Sequence, residues 1–191
     1  MALCTIEDLY LYLGLGDAPG PSNFDSTAYR YQLLIDAISD EIEKYCNRRF
    51  NEAAYTEYQS GEGTRYLLLD QYPILSLTSA TITYPTTTNE TDVDTDNIVI
   101  DRDRGQLYYL YGWEKGFNNV KVIYSAGYET IPDDLALIAM KMVSDAYDNS
   151  TVAATTMQEE KIGDYSYKRS ANGIKFTDDN KIILNRYVRH S

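Results

Sequence analysis

The sequence predicts an α+β fold: a helical core contributed by both ends of the chain, with a mostly antiparallel β region inserted between them. Two changes of periodicity predict this fold. Apolar residues recur at spacings of three and four before the β region and again after Pro132, as along one face of a helix. Between them the apolar residues alternate, as in half-buried strands. We expect a helical core of about residues 1–53 and 127–191 and a β insertion of about residues 54–126, together forming a single domain.

Two helices are predicted before the β region. The first begins after Thr5, whose hydroxyl can cap it, and ends at Gly14. The second begins at Asp25 or Ser26 and ends near residues 47–50. Its apolar stripe consists of Tyr31, Leu34, Ile35, Ile38, Ile42 and Tyr45. One side of this longer helix is therefore expected to be buried.

Two glycine-containing segments, Ser60–Gly63 and Arg102–Gly105, have the composition of hairpin turns in the β region. The strands are expected at residues 56–59, 64–69, 75–84, 97–101, 106–111 and 119–125. The Thr- and Asp-rich stretch 85–96 has almost no apolar residues. We expect it to be a mobile loop or a hairpin tip.

A third long helix is predicted to open at Pro132 and to end near Asn149. Its apolar stripe consists of Leu135, Ile138, Ala139, Met142, Val143 and Ala146. We expect its residues Leu135, Ile138 and Met142 to pack against the stripe of the second helix, because each stripe needs an apolar partner. Beyond it, Asn172-Gly173 predicts a C-terminal hairpin with arms 164–169 and 174–176, and a short helix, Lys181–Arg189, closes the chain.

The chain is strongly acidic, and this constrains its partners. It has 17 Lys and Arg against 29 Asp and Glu, so its formal net charge is −12. Such a surface repels phosphates, which argues against wrapping nucleic acid but allows double-stranded DNA to pass without being bound. The longest apolar run, Leu135–Met140, is too short for a membrane span, and the N-terminus lacks a signal-peptide pattern. We expect a protein made in a cytoplasm, with no membrane partner.

The residue types needed for common catalytic sites are scarce, so we do not expect an enzyme. His190 is the only histidine and lies beside the C-terminus, which argues against catalytic triads and histidine-metal sites. The two cysteines, Cys4 and Cys46, are expected to be buried free thiols. Asp133 and Asp134 could act as an acid–base pair in a hydrolase, but at a helix start they are first partners of the helix dipole. No catalytic residue, cofactor or resident metal is predicted.

Four aspartates have partial calcium-loop spacing. Asp92, Asp94, Asp96 and Asp103 correspond to positions 1, 3, 5 and 12 of a twelve-residue loop. Position 6, where that loop needs glycine, is Asn97, and the flanking segments are predicted strands rather than helices. We favour a solvated acidic loop over a calcium site.

Tyrosine accounts for 19 of the 24 aromatic residues, which favours strands and protein interfaces. A glycan- or protein-binding β module without catalysis is therefore an alternative function. Tyrosines buried in the core, rather than stacked on the surface, would argue against the glycan-binding form.

Four segments in order resemble the tailed-phage head–tail connector family, also called head-completion or adaptor proteins. The segments are residues 3–14 with 34–50, residues 67–74, residues 120–128 running into 131–135, and residues 162–167. They include Ile42-Glu43-Lys44-Tyr45-Cys46-Asn47-Arg48-Arg49-Phe50 and Ile162-Gly163-Asp164-Tyr165-Ser166-Tyr167, and it is the ordered set that carries the resemblance. Together they cover most of the chain.

The resemblance implies a structural virion protein of the phage neck, made in the cytoplasm of a bacterial host. Identical subunits would form a ring, dodecameric on the portal protein, which extends the DNA channel and carries a platform for a tail-side connector or stopper protein. The family has no catalytic residues to transfer. Six residues near the C-terminus are predicted to bind partners: Asp164, Tyr165, Tyr167, Arg186, Tyr187 and Arg189.

Overall fold

The computed structural model describes residues 2–20, 25–84, 90–152, 159–162, 165–168 and 176–189. It divides the chain into two compact units. The helical unit comprises Met1–Asn47 and Ile131–Ser191, and the β unit comprises Arg48–Thr130. The helices are α1 (Ile6–Leu13), α2 (Ser26–Cys46), α3 (Asp133–Val152) and α4 (Asp178–Leu184). The strands are β1 (Ala53–Gly61), β2 (Tyr66–Leu68), β3 (Ile74–Thr83), β4 (Glu90–Val93), β5 (Ile98–Asp101), β6 (Gln106–Tyr109), β7 (Gly116–Ala126), β8 (Glu159–Ile162) and β9 (Tyr165–Lys168). The predicted α+β class is confirmed.

Helix α1 begins and ends where the sequence predicts. The Thr5 hydroxyl accepts a hydrogen bond from the Asp8 N–H at 3.1 Å, and the Asp8 carboxylate accepts one from the Thr5 N–H at 3.2 Å. This reciprocal pair satisfies two N–H groups that a helix start otherwise leaves without partners. Gly14 follows in the left-handed conformation, with φ 68°, and ends the helix.

Helices α2 and α3 pack against each other in the helical unit, as predicted. Asp25 caps α2 by accepting from the Thr27 N–H at 2.9 Å. The two helices bury their apolar stripes: Ile35, Ile38 and Ile42 on α2, and Leu135, Ile138, Ala139, Met142 and Val143 on α3. Three residues that we expected in the buried stripes are only half-buried: Leu34 and Tyr45 on α2, and Ala146 on α3. Helix α3 reaches Val152, three residues beyond the predicted end.

The β unit contains two antiparallel sheets among its described residues. One has the strand order β1-β7-β3-β4 and the other the order β2-β6-β5. They share a core of Leu67, Leu69, Ile74, Ala80, Ile82, Val93, Ile98, Leu107, Trp113, Val120, Val122, Tyr124 and Ala126. The hairpin predicted at Arg102–Gly105 is confirmed, because it joins the paired strands β5 and β6.

The hairpin predicted at Ser60–Gly63 is wrong. Strand β1 pairs with β7, and β2 pairs with β6, so the two strands on either side of this segment belong to different sheets. Gly61 is needed for a close approach instead: a Cβ there would lie 1.9 Å from the carbonyl oxygen of Glu114. The Gly61 N–H donates to the Asn119 side-chain oxygen at 2.9 Å.

The acidic stretch 85–96, predicted to be a mobile loop or a hairpin tip, is in part a strand. Residues 85–89 lie outside the described ranges, but Glu90–Val93 forms β4, an edge strand paired with β3. Val93 lies opposite Ala80 and is buried, which explains why this end of the segment is ordered. Asp94 then caps the 3₁₀ helix Thr95–Asn97, accepting from the Asp96 N–H at 3.1 Å.

The two ends of the β unit lie beside each other. The Tyr128 N–H donates to the carbonyl oxygen of Phe50 at 2.7 Å. Gly127 has φ +118°, and a Cβ there would lie 2.4 Å from the Asn51 carbonyl oxygen. The buried Arg48 guanidinium stacks on the Tyr72 ring at 3.8 Å and donates to the Tyr72 carbonyl oxygen. These contacts close the unit at the point where the chain begins and leaves it.

A C-terminal hairpin is present, although its strands differ from those predicted. Strand β9 coincides with the predicted first arm, but it pairs with β8 rather than with residues 174–176. The predicted turn Asn172-Gly173 lies outside the described residues. The predicted final helix begins earlier: Thr177 caps α4, which ends at Leu184, and a turn follows over residues 185–187. None of the described helices combines the length and apolarity that a membrane crossing requires.

Candidate interaction surfaces

Hydrogen bonds anchor the C-terminal segment within the helical unit. The Tyr187 hydroxyl donates to the Asp134 carboxylate at 2.7 Å. The Arg189 N–H donates to the carbonyl oxygen of Cys46 at 2.9 Å, and the Tyr45 hydroxyl donates to the Asn185 side-chain oxygen at 2.8 Å. These bonds join the segment after α4 to the end of α2 and the start of α3.

Three of the predicted partner-binding residues lie in this segment, but they differ in exposure. Arg186 is exposed, whereas Tyr187 and Arg189 are half-buried. Tyr187 uses its hydroxyl within the chain, so its first role is to position the segment. Ile182, one turn earlier on α4, is 63% exposed. Arg186 and Ile182 thus form the accessible part of this candidate surface.

The other three predicted residues belong to the C-terminal hairpin. Tyr165 lies opposite Ile162, and Tyr167 lies opposite Glu160, in the β8–β9 pairing. Asp164 lies outside the described residues. The two tyrosines are therefore two positions apart on one strand.

A further surface, which the sequence analysis missed, is the outward face of the sheet β2-β6-β5. Tyr66, Tyr108 and Val99 are paired across its three strands and form one row. Tyr66 is 56% exposed and Val99 is 67% exposed, and the Tyr66 and Tyr108 rings meet edge-on with centroids 5.2 Å apart. Leu68, two positions after Tyr66 on the outer strand β2, is also exposed, and so is Leu110, which directly follows β6. We call these five residues the sheet patch.

A sequence signal for the sheet patch exists. Strand β2 and its continuation read Tyr66-Leu67-Leu68-Leu69, so both faces of this strand are apolar. The inward residues Leu67 and Leu69 are buried in the core, while Tyr66 and Leu68 lie exposed on the outward face. An apolar strand that has only one buried face predicts an exposed apolar surface.

Helix α2 carries a second exposed row. Tyr29 and Leu33 are one turn apart, 57% and 51% exposed, and Asp36 and Asp40 continue the same line along the helix. This row points away from the buried stripe of α2, since it lies on the opposite side of the helical wheel. We call these four residues the α2 ridge.

Two of the four aspartates with calcium-loop spacing serve as local hydrogen-bond acceptors. The Asp92 carboxylate accepts from the Thr81 hydroxyl at 3.2 Å, and the Asp94 carboxylate accepts from the Asn97 side-chain amide at 3.1 Å. Within the described ranges, no group of three or more His, Cys, Asp or Glu side chains is placed to hold a metal ion.

Burial perturbs two protonated groups without making them reactive. Burial, reinforced by the Glu57 carboxylate to which its hydroxyl donates, raises the pKa of Tyr124 well above its usual range. Glu57 also accepts from the Asp70 N–H at 2.9 Å, and the Tyr124 hydroxyl accepts from the Gln71 N–H at 3.1 Å. Burial, with a smaller effect of nearby Asp8, raises the pKa of the Cys4 thiol to about 11. The hydrogen bonds of Glu57 and Tyr124 hold strand β1 and the loop at residues 70–71 together. The raised pKa keeps the Cys4 thiol protonated and therefore unreactive.

The family of the chain follows from its sequence as a whole. The model for the family described as "Head completion protein" matches residues 2–187. The chain belongs to the head completion protein family. This confirms the resemblance drawn from the four sequence segments. None of the curated proteins compared with the chain matches it.

Solved structures of gene transfer agent (GTA) particles share the fold of this head completion protein. A chain from the neck of an empty GTA particle, computed with C6 symmetry, is 14% identical, with a TM-score of 0.62 over 99% of this chain and 91% of that chain. A chain from the virion of a native particle gives 14% identity and a TM-score of 0.61, over 99% and 90% of the two chains. A neck computed with C12 symmetry gives 13% identity and a TM-score of 0.56, over 97% and 90%.

The family assignment agrees with a structural role in the virion neck, as the resemblance implied. The hydrolase alternative finds no support in the candidate pair Asp133 and Asp134. Both residues lie in the first turn of α3, and Asp134 accepts from the Tyr187 hydroxyl and the Leu135 N–H. The Asp134 carboxylate therefore has a structural role at the helix start.

Proposed function

We propose that this head completion protein is a structural subunit of the virion neck that forms a ring between the portal and the tail. The ring extends the DNA channel and offers a docking platform to a tail-side connector or stopper protein. The observation that carries the proposal is the family match over residues 2–187, supported by the fold shared with chains of GTA necks. No catalytic step is part of this function.

The ring is proposed to contain twelve copies when it is bound to the portal. Support comes from the C12 and C6 symmetries of the GTA necks that contain similar chains. A ring of identical subunits requires heterologous contacts, in which one surface of each subunit meets a different surface of the next. Away from the portal we expect a monomer or a weak oligomer, because the chain lacks a sustained apolar heptad seam for a permanent bundle.

Double-stranded DNA is proposed to pass through the ring without specific binding. The formal charge of −12 on each chain supports this, because like charge gives the phosphates no binding well. No cofactor is needed.

The C-terminal residues Asp164, Tyr165, Tyr167, Arg186, Tyr187 and Arg189 are proposed to contact the portal or the tail-side partner. Within this set, Arg186 is the exposed cation of the described C-terminal segment, and Tyr187 holds that segment through Asp134. A guanidinium on an otherwise acidic chain suits an acidic partner surface.

The experiment is negative-stain electron microscopy of the purified protein, alone and mixed with portal protein. We expect single particles alone and portal-bound rings in the mixture. The Arg186→Glu variant should reduce ring occupancy, while Arg104→Glu, an exposed arginine on the β5–β6 turn, is the matched control and should not. A tight dimer that has no affinity for the portal would contradict the proposal.

The glycan- or protein-binding β module remains the second candidate. Tyrosine burial does not decide against it, because Tyr10, Tyr31 and Tyr124 are buried whereas Tyr66 and Tyr111 are exposed. The family match favours the connector. Binding of the protein to a glycan array, with no effect of adding portal, would favour the module instead.

A further inference from the structure

The sheet patch is a preformed apolar surface on a strongly charged chain. Four of its five side chains are well exposed, from 47% for Leu110 to 67% for Val99. The opposite face of the same strands is fixed in the core by Leu67, Ile98 and Leu107. A partner that docks on the patch therefore has little to order on binding, which favours affinity. Contiguous exposed apolar surfaces of this kind mark interaction sites in soluble proteins.

The strand register places a row of polar side chains next to the apolar row. Leu68 lies opposite Gln106, and Gln106 lies opposite Asp101, on the same face as the patch. At the other side of the patch, the Arg65 guanidinium donates to the Tyr108 hydroxyl at 2.9 Å, which satisfies that hydroxyl within the chain. An apolar centre with a polar rim is the usual anatomy of a protein–protein interface.

Acidic side chains outnumber basic ones at the border of the sheet patch. The acidic residues beside β2 and β5 are Asp70, Asp96, Asp101 and Asp103. The basic residues are Arg65 and Arg104, and the Arg104 guanidinium lies 3.9 Å from the Asp101 carboxylate, so that pair is close to neutral. Asp96 and Asp103 are both exposed. The border is therefore negative, like the chain as a whole, whose formal charge is −12.

This negative border determines which class of molecule the sheet patch suits. A second copy of the chain would bring another strongly acidic surface, and nucleic acid or an anionic lipid would bring phosphates. Repulsion between like charges disfavours all three. A protein surface with exposed apolar and basic side chains complements the patch in both respects.

We propose that the sheet patch docks an unlike protein of the neck whose contact surface is apolar and basic. Burial of the apolar row stabilises the complex, and the acidic border selects partners of opposite charge. The inference rests on the proposed function, which supplies two unlike neighbours in the neck. It adds a contact surface in the β unit to the C-terminal residues of the helical unit.

Affinity measurements with two purified probes test the proposal: the portal protein and the tail-side neck protein of the same virus. Leu68→Ala removes an apolar side chain from the patch, and Leu137→Ala, at an exposed leucine of α3, is its matched control. Asp103→Lys reverses a border charge, and Asp40→Lys makes the same change at an exposed position of α2. Gln106→Glu adds a carboxylate to the polar row.

We expect at least one of the two probes to bind the wild type. Leu68→Ala and Asp103→Lys should each raise the dissociation constant for that probe about ten-fold, because one loses apolar burial and the other places like charges together. Gln106→Glu should lower it about three-fold, a gain that a folding defect could not produce. The two control variants should bind as the wild type does.

Three results would overturn the proposal. The first is binding of both probes that neither Leu68→Ala nor Asp103→Lys changes. The second is tighter binding by Asp103→Lys, which indicates an acidic partner. The third is self-association of the wild type that Leu68→Ala abolishes, which would show that a second copy occupies the patch.

Electron microscopy separates these results from a failure of the proposed function. If rings form on the portal while the Leu68 and Asp103 variants bind both probes like the wild type, the ring stands and only the sheet-patch contact is wrong. If the wild type binds neither probe and forms no rings on the portal, the proposed function fails, and this inference fails with it.

Discussion

The Tyr187 hydroxyl donates to the Asp134 carboxylate at 2.7 Å, which ties the end of the described chain to the first turn of α3. The two residues are 53 positions apart in sequence. The contact fixes the position of Arg186, the exposed arginine that immediately precedes Tyr187. It therefore connects the stability of a helix start with the presentation of a candidate partner-binding residue.

The Tyr187→Phe variant should separate these two effects. Removing the hydroxyl should lower the free energy of unfolding by about 1–2 kcal/mol, because a hydrogen bond to a charged group is lost. Portal affinity should fall as well, since the segment that carries Arg186 is held less firmly. Urea denaturation and portal pull-down measure the two quantities. Tyr111→Phe, an exposed tyrosine of the β unit, is the control and should change neither.

Truncating buried side chains in the α2–α3 interface should strongly destabilise the protein. Ile38 is fully buried on α2, and Ile138 is 4% exposed on α3. Ile38→Ala and Ile138→Ala should each cost about 2–5 kcal/mol of unfolding free energy, because each leaves a cavity in a packed interface. Leu137→Ala, next to Ile138 but half exposed, should cost much less. Equal costs for Ile138→Ala and Leu137→Ala would show that the helices do not form a core.

Replacing Asn119 should destabilise the protein more than replacing its neighbour Asn118. Its side chain is buried, accepts from the Gly61 N–H at 2.9 Å and donates to the Glu114 carbonyl oxygen at 2.8 Å. Asn119→Ala should cost about 2–4 kcal/mol, because two buried backbone groups lose their partner. Asn118→Gly should be close to neutral, since Asn118 has φ 48°, which glycine adopts easily. Thermal denaturation of both variants gives the comparison.

The acidic residues of β4 and the 3₁₀ helix should tolerate loss of charge. Replacing Asp92, Asp94 and Asp96 together by Asn should change the unfolding free energy by no more than about 0.5 kcal/mol, because Asn keeps the acceptor that caps the helix. Asp94→Ala, which removes the acceptor, should cost about 1 kcal/mol. Calcium should not raise the melting temperature of the wild type. A calcium-dependent rise that the triple variant loses would establish a metal site.

Stability should fall at high pH, partly through Tyr124. Its pKa is raised in the folded protein by burial and by Glu57, from an unfolded value near 10. The folded state therefore holds the Tyr124 proton more tightly than the unfolded state. The contribution of Tyr124 to the free energy of unfolding is complete below pH 10 and is lost as the pH rises above 10. The Tyr124→Phe variant should be less stable at neutral pH but lose less stability above pH 10. Tyr58→Phe, an exposed tyrosine of β1, should follow the wild type.

The sequence predicted the features that depend on neighbouring residues. The capping box of Thr5 and Asp8, the left-handed Gly14 and the long amphipathic helices are encoded within one or two turns of chain. Their boundaries agree with the structure to within a few residues. The family resemblance was equally accessible because it depended on short segments in order.

Features that depend on distant residues were not predictable in the same way. The Gly61 segment has a turn composition, yet its role is to let the backbone approach Glu114, more than fifty positions away. Glu90–Val93 contains three polar residues, but Val93 finds a buried site opposite Ala80. The sheet patch was missed because the alternation of residues along a strand tells which side chains share a face of the sheet. It does not tell whether one or both of those faces are covered by the rest of the protein.

The hydrogen bond between Phe50 and Tyr128 has an evolutionary consequence. Because the chain begins and leaves the β unit at adjacent points, a lineage can lengthen, shorten or replace everything between them while the flanking helices keep their spacing. Head completion proteins that serve different tails could thus diversify by exchanging this cassette. Gly127 would then be retained longer than the strands it follows. The close approach of Gly127 to Asn51 brings the two ends of the β unit together, whatever strands lie between them.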